Sequence, residues 1–353
     1  MPNEPGPDDG WRHLRFGGLQ KTTDLWGGDE IFAGQPKLVE ARNVYYVPWE
    51  HNGRWGIFDS NDHIIESAID RAHPSGEMLQ QVPESPVHYD DINLRAIDSE
   101  YIYGGRFHPH FGHFLVEALP RYWMLAQERR RFQKILVHTD AHENFFGDFP
   151  FARIIFTALG LTRGDFLKFP TPAKIDKLLI PETSLRPQAF GYEAYGELCR
   201  YIGKRLLGSE PIIKNPKPVW LSKTKLQHGV SRFINEDIIE RRLLDAGFDI
   251  IYPEELGFVD QIKLFTSRLV IAGTTGSAFH TSLFTEPNAK LIMIDPVGFR
   301  NSNFSIFEKL SGHRVDHYFP AGTEMIPDPT FIRCVAFPEP EKVADAIIAL
   351  VRS

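Results

Sequence analysis

The sequence predicts an α/β protein with two domains. At 353 residues the chain is longer than a single hydrophobic core usually serves. From Lys134 onward, short apolar runs alternate with amphipathic segments of helical period. Because strands that alternate with helices are typical of parallel sheets covered on both faces, we expect such a sheet in the C-terminal half.

The N-terminal domain is predicted to span residues 1–207 and to begin with a β-rich lead-in over residues 1–100. In this lead-in, β-like runs at 44–47 and 55–58 alternate with turns rich in Gly, Asn, Asp and Pro. The rest of the domain is predicted to contain strands at 135–137 and 177–180 and helices at 149–159 and 194–207.

Residues 208–218 (GSEPIIKNPKP) predict a linker, because their prolines and glycine disfavour regular structure. We expect a C-terminal domain over residues 219–335, with a helix after the N-cap Asn235. A last helix in residues 336–353 is expected to pack back on the N-terminal domain. The other elements predicted in the C-terminal domain are strands 219–222, 248–252, 269–272 and 291–294 and helices 259–266 and 278–284.

Composition narrows the function classes. A net charge of −7 and the lack of a basic cluster disfavour nucleic-acid binding. Two cysteines cannot form a disulfide framework, and the acidic, proline-rich N-terminus resembles neither a signal nor a transit peptide. With no apolar run of membrane-spanning length, we expect a cytoplasmic protein whose membrane contact, if any, is peripheral and at the inner face.

The segment 104–123 (GGRFHPHFGHFLVEALPRYW) concentrates ionisable side chains among apolar ones. His110, His113, Glu117 and Arg121 follow one another at helical spacing, which predicts a polar stripe able to line a cleft. Pro120 predicts a kink or a break near Glu117, because it lacks an amide hydrogen and crowds the preceding turn.

Two other interpretations of this segment stay open. His113 and Glu117 could form a satisfied polar seam that only holds a core helix. His108, His110 and His113 could bind a metal, although their spacing matches neither HExxH nor a zinc-finger pattern.

A second informative segment, 269–284 (LVIAGTTGSAFHTSLF), predicts a strand, a glycine-containing turn and a helix. The free amide groups at such a helix N-terminus favour phosphate, although an ordinary turn with a serine cap would read the same way. In a parallel sheet, Lys223, Lys225 and Arg232 would follow the first strand of this half and could face the same diphosphate. The turn itself consists of Gly273, Thr274, Thr275, Gly276 and Ser277.

Four motifs in order, HxxHFLVEALPR, LSK followed by RxINE, GFxxxxPEELxxxxQIxLF and GTTGSAF, resemble the family 61 glycosyltransferases from about Val44 to Tyr318. The resemblance implies a GT-B-like α/β fold: two Rossmann-like domains facing a cleft, the N-terminal one on the acceptor side and the C-terminal one binding the nucleotide sugar. Inversion at the anomeric carbon is implied as well. Lys223 stands where the family has arginine, and Thr275 where it frequently has histidine.

On this basis we expect an inverting, metal-independent glycosyltransferase that moves a sugar from a nucleotide sugar, UDP-linked, to a hydroxyl of a saccharide or lipid-linked saccharide. No cofactor is expected, since the nucleotide sugar is a substrate. A catalytically silent nucleotide-sugar-binding protein and a His-ligated metal hydrolase are the alternatives. The predicted catalytic residues are His113 and Glu117, either of which could be the base. Donor-binding residues are expected to be Ser222, Lys223, Arg232, Glu236, Gly273, Thr274, Thr275, Gly276 and Ser277. On the acceptor side we expect Arg106, His110 and Arg121.

Overall fold

The computed structural model describes most of the chain. The described residues are 18–49, 54–71, 77, 93–94, 101–108, 110–126, 134–139, 145–209, 211–227 and 229–353. The strands, numbered in chain order, are β1 (Leu19–Lys21), β2 (Asp24–Trp26), β3 (Glu30–Phe32), β4 (Leu38–Val47), β5 (Gly56–Phe58), β6 (Asn93–Leu94), β7 (Tyr101–Phe107), β8 (Lys134–Thr139), β9 (Phe166–Leu167), β10 (Ala173–Pro181), β11 (Leu185–Arg186), β12 (Phe190–Tyr192), β13 (Val219–Leu221), β14 (Gly229–Phe233), β15 (Asp249–Ile251), β16 (Val270–Thr274), β17 (Lys290–Ile294), β18 (Phe299–Asn301), β19 (Arg314–Pro320), β20 (Glu324–Ile326) and β21 (Phe331–Ala336).

Helices lie between and beside these strands. The α-helices are α1 (Phe111–His113), α2 (Phe145–Asp148), α3 (Pro150–Ala158), α4 (Glu193–Leu207), α5 (Glu236–Asp245), α6 (Phe258–Ser267), α7 (Ser302–Ser311) and α8 (Pro340–Arg352). A π-helical segment covers Phe114–Ala118. The 3₁₀ helices are Glu66–Ala68, Leu119–Ala126, Arg163–Asp165, Pro253–Glu255 and Ser277–Phe284.

The C-terminal half is built on a six-stranded sheet with the order β1-β19-β17-β16-β13-β15. The strands predicted at 219–222, 248–252, 269–272 and 291–294 are β13, β15, β16 and β17, and they pair in parallel as expected. Their apolar side chains are buried against the helices between them, which explains the continuous apolar runs in the sequence.

The N-terminal half is built on a mixed sheet with the order β5-β4-β10-β7-β8-β9, to which β6 adds beside β10. The pairs β4–β5 and β4–β10 are antiparallel, whereas β10–β7, β7–β8 and β8–β9 are parallel. The fold is therefore mixed α/β with several sheets. The division into two Rossmann-like GT-B domains stays a prediction.

The first strands of the lead-in belong to sheets of the C-terminal half. β1 pairs antiparallel with β19, and β2 pairs parallel with β18. The next strand, β3, pairs with β12 of the N-terminal half. The chain therefore crosses between the halves once near Gly27, which has a positive φ of 98°, and again at the predicted linker, which begins at Gly208 with a φ of 67°.

Among the described residues, helix α8 packs on α5 of the C-terminal half, which corrects the expectation that residues 336–353 pack back on the N-terminal domain. Its buried Val343 and Ile347 belong to the same apolar cluster as Trp220 and Ile239. Asn235 precedes α5 as predicted, but its side chain does not cap the helix. Its amide group instead donates to the Phe337 carbonyl at 2.8 Å and accepts from the Phe337 amide at 2.9 Å, which ties β21 to α5.

The break predicted near Glu117 is confirmed. Helix α1 passes into the π-helical segment at Phe114 and into the 3₁₀ helix at Leu119. Pro120 lies at the start of the 3₁₀ helix, where its missing amide hydrogen removes one bond of the regular ladder. The segment leaves the regular α-helical path, so the residues after Glu117 leave the face that His113 and Glu117 share.

Candidate active site

An imidazole–carboxylate pair lies where β7 is followed by α1. Nδ1 of His113 is 2.6 Å from Oε1 of Glu117. The His113 side chain is 50% exposed, whereas that of Glu117 is 18% exposed. A carboxylate can only accept, so Nδ1 carries the proton and Nε2 is left as the basic nitrogen.

The two groups shift each other's titration. The hydrogen bond to Glu117 raises the pKa of His113 above its usual value of 6.5. Burial alone would raise the pKa of Glu117, but the hydrogen bond from His113 and nearby positive charges outweigh it and lower that pKa. The pair thus combines a basic imidazole with a carboxylate that stays ionised.

In the C-terminal half, Lys223 follows β13 and reaches the turn after β16. Its Nζ donates to the Thr275 carbonyl at 2.6 Å and to Oγ of Ser231 at 3.2 Å. A Cβ atom at Gly276 would lie 2.9 Å from Nζ, so any side chain there would have to displace the end of the lysine. Gly276 itself is extended, with a φ of −175°. Burial lowers the pKa of Lys223.

The turn after β16 is held in place by a series of buried, hydrogen-bonded side chains that the sequence analysis did not predict. Oγ1 of Thr275 donates to Asp295 at 2.6 Å, and the other carboxylate oxygen of Asp295 is 3.1 Å from Nδ1 of His317. Asp295 and His317 are both buried. Asp295 follows β17 and His317 lies within β19, so no local sequence pattern links them to residues 273–277.

Two cavities meet at Lys223, Gly276 and Ser277. The first, the histidine cleft, has a volume of about 490 Å³ and is also lined by His110 and His113. The second, the phenylalanine cavity, has a volume of about 450 Å³ and is lined mainly by apolar side chains, Phe111, Phe151 and Phe258 among them. The structure therefore brings the predicted histidines and the predicted phosphate turn to one cleft between the halves.

Thr275 also lines the histidine cleft, whereas the remaining residues predicted to bind the donor do not. Ser222 and Thr274 are buried and line the phenylalanine cavity. Glu236 is buried, where it accepts from the Trp220 indole at 3.0 Å and from the Lys223 amide at 3.4 Å, and burial raises its pKa.

Gly273 and Arg232, which were also predicted to bind the donor, contact other parts of the C-terminal half. Gly273 lies within β16, and a Cβ atom there would be 2.7 Å from the Leu221 carbonyl, so the glycine allows close strand packing. Arg232 donates to the Thr224 carbonyl at 3.4 Å and lies over the Phe331 ring. Arg232 lines neither of the two cavities.

Of the two arginines expected on the acceptor side, Arg106 is near the His113–Glu117 pair, where its charge acts to lower both pKa values. Arg121 is 2% exposed and donates to the carbonyls of Ser67, Ile69 and Pro181 at 2.9 to 3.0 Å and to Asp70 at 3.3 Å. It lines a third cavity of about 270 Å³, together with Glu117. The guanidinium of Arg106 lies 4.2 Å from the centre of the Trp49 ring. The predicted polar stripe is therefore split at Glu117, because the π and 3₁₀ turns rotate later residues away.

The metal interpretation finds no support in the part of the chain that the structure describes, where no group of three or more His, Cys, Asp or Glu side chains is placed to hold a metal ion. The rings of His108 and His113 instead lie against each other at 4.6 Å, and Nδ1 of His110 accepts from the His113 amide at 3.4 Å. Within the same described ranges, no helix has the length and apolar character needed to cross a bilayer.

A cleft that holds a carboxylate-supported imidazole opposite a desolvated lysine is typical of the active site of an enzyme. The chain belongs to glycosyltransferase family 61: the family model described as Glycosyltransferase 61 matches residues 111–292. This range includes both the His113–Glu117 pair and the turn at Gly276. Family membership supports a transferase with a sugar donor and an acceptor. No curated protein shows significant similarity to the chain.

Proposed function

We propose that this protein is an inverting, metal-independent glycosyltransferase that moves a sugar from a nucleotide sugar, UDP-linked, to a hydroxyl of a saccharide or lipid-linked saccharide. The proposal rests chiefly on one observation. His113, from the N-terminal half, and Lys223 with Gly276 and Ser277, from the C-terminal half, line the same cleft.

The donor diphosphate has suitable partners at the junction of the two cavities. Lys223 supplies a positive charge that is largely removed from water, which strengthens its attraction to a phosphate. The 3₁₀ helix that begins at Ser277 adds backbone amide groups and a hydroxyl. A phosphate placed here would accept hydrogen bonds from groups that the turn already holds in position.

The nucleoside has a suitable site in the phenylalanine cavity. The rings of Phe111 and Phe258 meet there at 5.7 Å and 63°, and the cavity walls are mostly apolar. A planar base favours such a surface, while the more polar histidine cleft suits sugars. Lys223 borders both cavities, in agreement with a diphosphate that bridges them.

The base of the reaction is His113 in this proposal. Its Nε2 accepts the proton of the acceptor hydroxyl while the acceptor oxygen forms a bond to the anomeric carbon. The bond between that carbon and the diphosphate oxygen breaks at the same time, and the diphosphate keeps the electron pair beside Lys223. Attack from the side opposite the leaving group inverts the configuration, and Glu117 stabilises the imidazolium that results.

The setting of the reaction is inferred from the chain's composition. A net charge of −7 disfavours nucleic acid as a partner, and a chain with two cysteines fits a reducing compartment. We therefore place the enzyme in the cytoplasm, with membrane contact limited to a peripheral encounter with a lipid-linked acceptor.

Thermal unfolding with a panel of UDP, GDP, ADP, CMP and dTDP tests the donor site. A ligand at a hundred times its dissociation constant stabilises the native state by about 2.7 kcal/mol. We expect one nucleotide to raise the Tm of the wild type and to lose this effect in Lys223→Met. The matched control is Lys225→Met, since Lys225 pairs with Glu255 on the surface and lines neither cavity.

Turnover separates an enzyme from a silent binding protein. Nucleoside diphosphate release from the corresponding nucleotide sugars, with saccharide acceptors present, is expected in the wild type and should be about 10² to 10⁴ times slower in His113→Ala. Binding without release in the wild type would make the chain a silent nucleotide-sugar-binding protein. No thermal shift with any nucleotide would refute the donor site altogether.

A further inference from the structure

Two aromatic rings in the histidine cleft are exposed to solvent. Trp26 and Phe299 are each 39% exposed, and their centroids lie 6.3 Å apart at an interplanar angle of 68°. Both line the cleft that contains His113. They are held there by the parallel pairing of β2 with β18, in which Trp26 is opposite Asn301 and Asp24 is opposite Phe299. A strand from the lead-in thus adds an aromatic ring to a cleft formed mainly by later residues.

The same cleft contains a buried histidine without a partner for one nitrogen. His280 is 6% exposed, and its Nδ1 forms no hydrogen bond within the described residues. The ring is fixed between Phe304 at 5.0 Å and Phe307 at 4.4 Å. Burial lowers the pKa of His280 to about 3, so the imidazole is neutral at physiological pH. It offers a neutral hydrogen-bonding group, and no charge, to whatever occupies the cleft.

These features together match the chemistry of a saccharide. A pyranose ring has an apolar C–H face that packs on aromatic rings and hydroxyl groups that need neutral donors and acceptors. The unpaired Nδ1 of His280 is costly to bury, and the ring that carries it lines the cleft, so a ligand hydroxyl that reaches this atom would remove the cost. A phosphate would instead require a cation such as Lys223, which lines both cavities.

We propose that Trp26, Phe299 and His280 form a saccharide-binding subsite for the acceptor, in which the aromatic pair holds ring faces and His280 hydrogen-bonds a hydroxyl. The acceptor role rests on the proposed function. Because the two rings are open to solvent, an acceptor can reach them after the nucleotide sugar is in place. The subsite would also select acceptors, because a ring without a suitably placed hydroxyl leaves His280 unpaired.

Saturation-transfer-difference NMR tests the subsite without knowledge of the natural acceptor. The probes are methyl pyranosides of glucose, galactose, mannose and xylose, added with the nucleoside diphosphate that gives the largest thermal shift. We expect the wild type to bind at least one pyranoside, and Trp26→Ala and Phe299→Ala to bind it about tenfold more weakly, the effect of losing one ring contact. His280→Phe, which keeps a packed ring but no nitrogen, is expected to weaken binding to a similar extent.

Met325→Ala is the matched control, because Met325 is an exposed apolar residue that does not line the cleft. Equal pyranoside binding by the wild type and the three subsite variants would overturn the proposal, as would the absence of binding by every pyranoside in the panel. Nucleoside diphosphate affinity is measured on the same samples and should not change. If the wild type binds no nucleotide, the proposed function fails; if it binds nucleotide but no pyranoside, only the subsite fails.

Discussion

Replacing Glu117 with glutamine keeps the shape of its side chain but removes the charge that supports His113. The hydrogen bond between them is 2.6 Å long and raises the pKa of His113. A hydrogen bond to a charged group contributes about 1.5 to 3 kcal/mol, and one pKa unit corresponds to about 1.36 kcal/mol. Since His113 is half exposed, water screens part of this interaction, and we expect the pKa of His113 to fall in the variant.

The sign of the pH effect follows from the role of the imidazole. A base must be neutral to accept a proton, so activity falls as the pH drops below the pKa of His113. In the wild type this acid limb should lie above 6.5, the ordinary pKa of histidine. In Glu117→Gln, the acid limb should move to lower pH, while the plateau also falls because the imidazole is less basic and its tautomer is not fixed.

The assay is the pH dependence of kcat/KM for nucleoside diphosphate release. His113→Ala is the limiting case: we expect kcat to fall by about 10² to 10⁴, which is about 3 to 5 kcal/mol of activation free energy, with nucleotide affinity unchanged. An acid limb at the same pH in wild type and Glu117→Gln would refute the pairing as a catalytic device. A nearly inactive Glu117→Gln beside a mildly impaired His113→Ala would make Glu117 the base.

Four further outcomes are expected. Gly276→Val should abolish nucleotide binding in a folded protein, because its side chain would displace the Lys223 ammonium while the extended backbone accepts valine. The control is Gly164→Val, whose added Cβ meets only the Thr162 hydroxyl, at 3.6 Å. Nucleotide binding retained by Gly276→Val in calorimetry would contradict this expectation. Burial lowers the pKa of Lys223, so nucleotide affinity should fall as the pH rises through values at which an ordinary lysine, with a pKa of 10.5, stays charged. Lys223→Arg should flatten this pH dependence. If affinity depends on pH in the same way in the wild type and the variant, Lys223 is not the group that titrates. Arg121→Ala should lower the free energy of unfolding in urea by about 3 to 5 kcal/mol, because it leaves buried carbonyls and Asp70 without their partner. A loss of unfolding free energy below about 1 kcal/mol would show that water replaces the guanidinium. Turnover should survive EDTA, and activity lost to the chelator and restored by Mg²⁺ would make the reaction metal-dependent.

The sequence was informative where the structure depends on local patterns. The four parallel strands of the C-terminal sheet are apolar runs that end at glycine, proline or polar residues, and the break near Glu117 follows from one proline. The contact between His113 and Glu117 was predictable for the same reason, because residues four apart meet on a helix.

The sequence could not predict features that depend on contacts between distant residues. Leu19 lies opposite Pro320 in the sheet, and nothing in either segment specifies the other. Asp295 reaches Thr275 only because their strands are neighbours. The sequence analysis placed His280 within a predicted apolar helix and did not predict that it lines the cleft. Arg121 turned away from the histidines because the π turn changed the phase of the helix, which periodicity alone assumes to be constant.

The first crossing of the chain between the halves brings part of the lead-in to the cleft. The backbone passes between the halves near Gly27 and again from Gly208 onward, and both glycines have positive φ angles. The halves also share one apolar cluster, in which Leu198 of the N-terminal half packs with Leu283 of the C-terminal half. Two chain connections and a common core therefore hold the cleft walls together, which favours a cleft of fixed shape. Because Trp26 immediately precedes the first crossing, the aromatic pair is anchored at one of these connections.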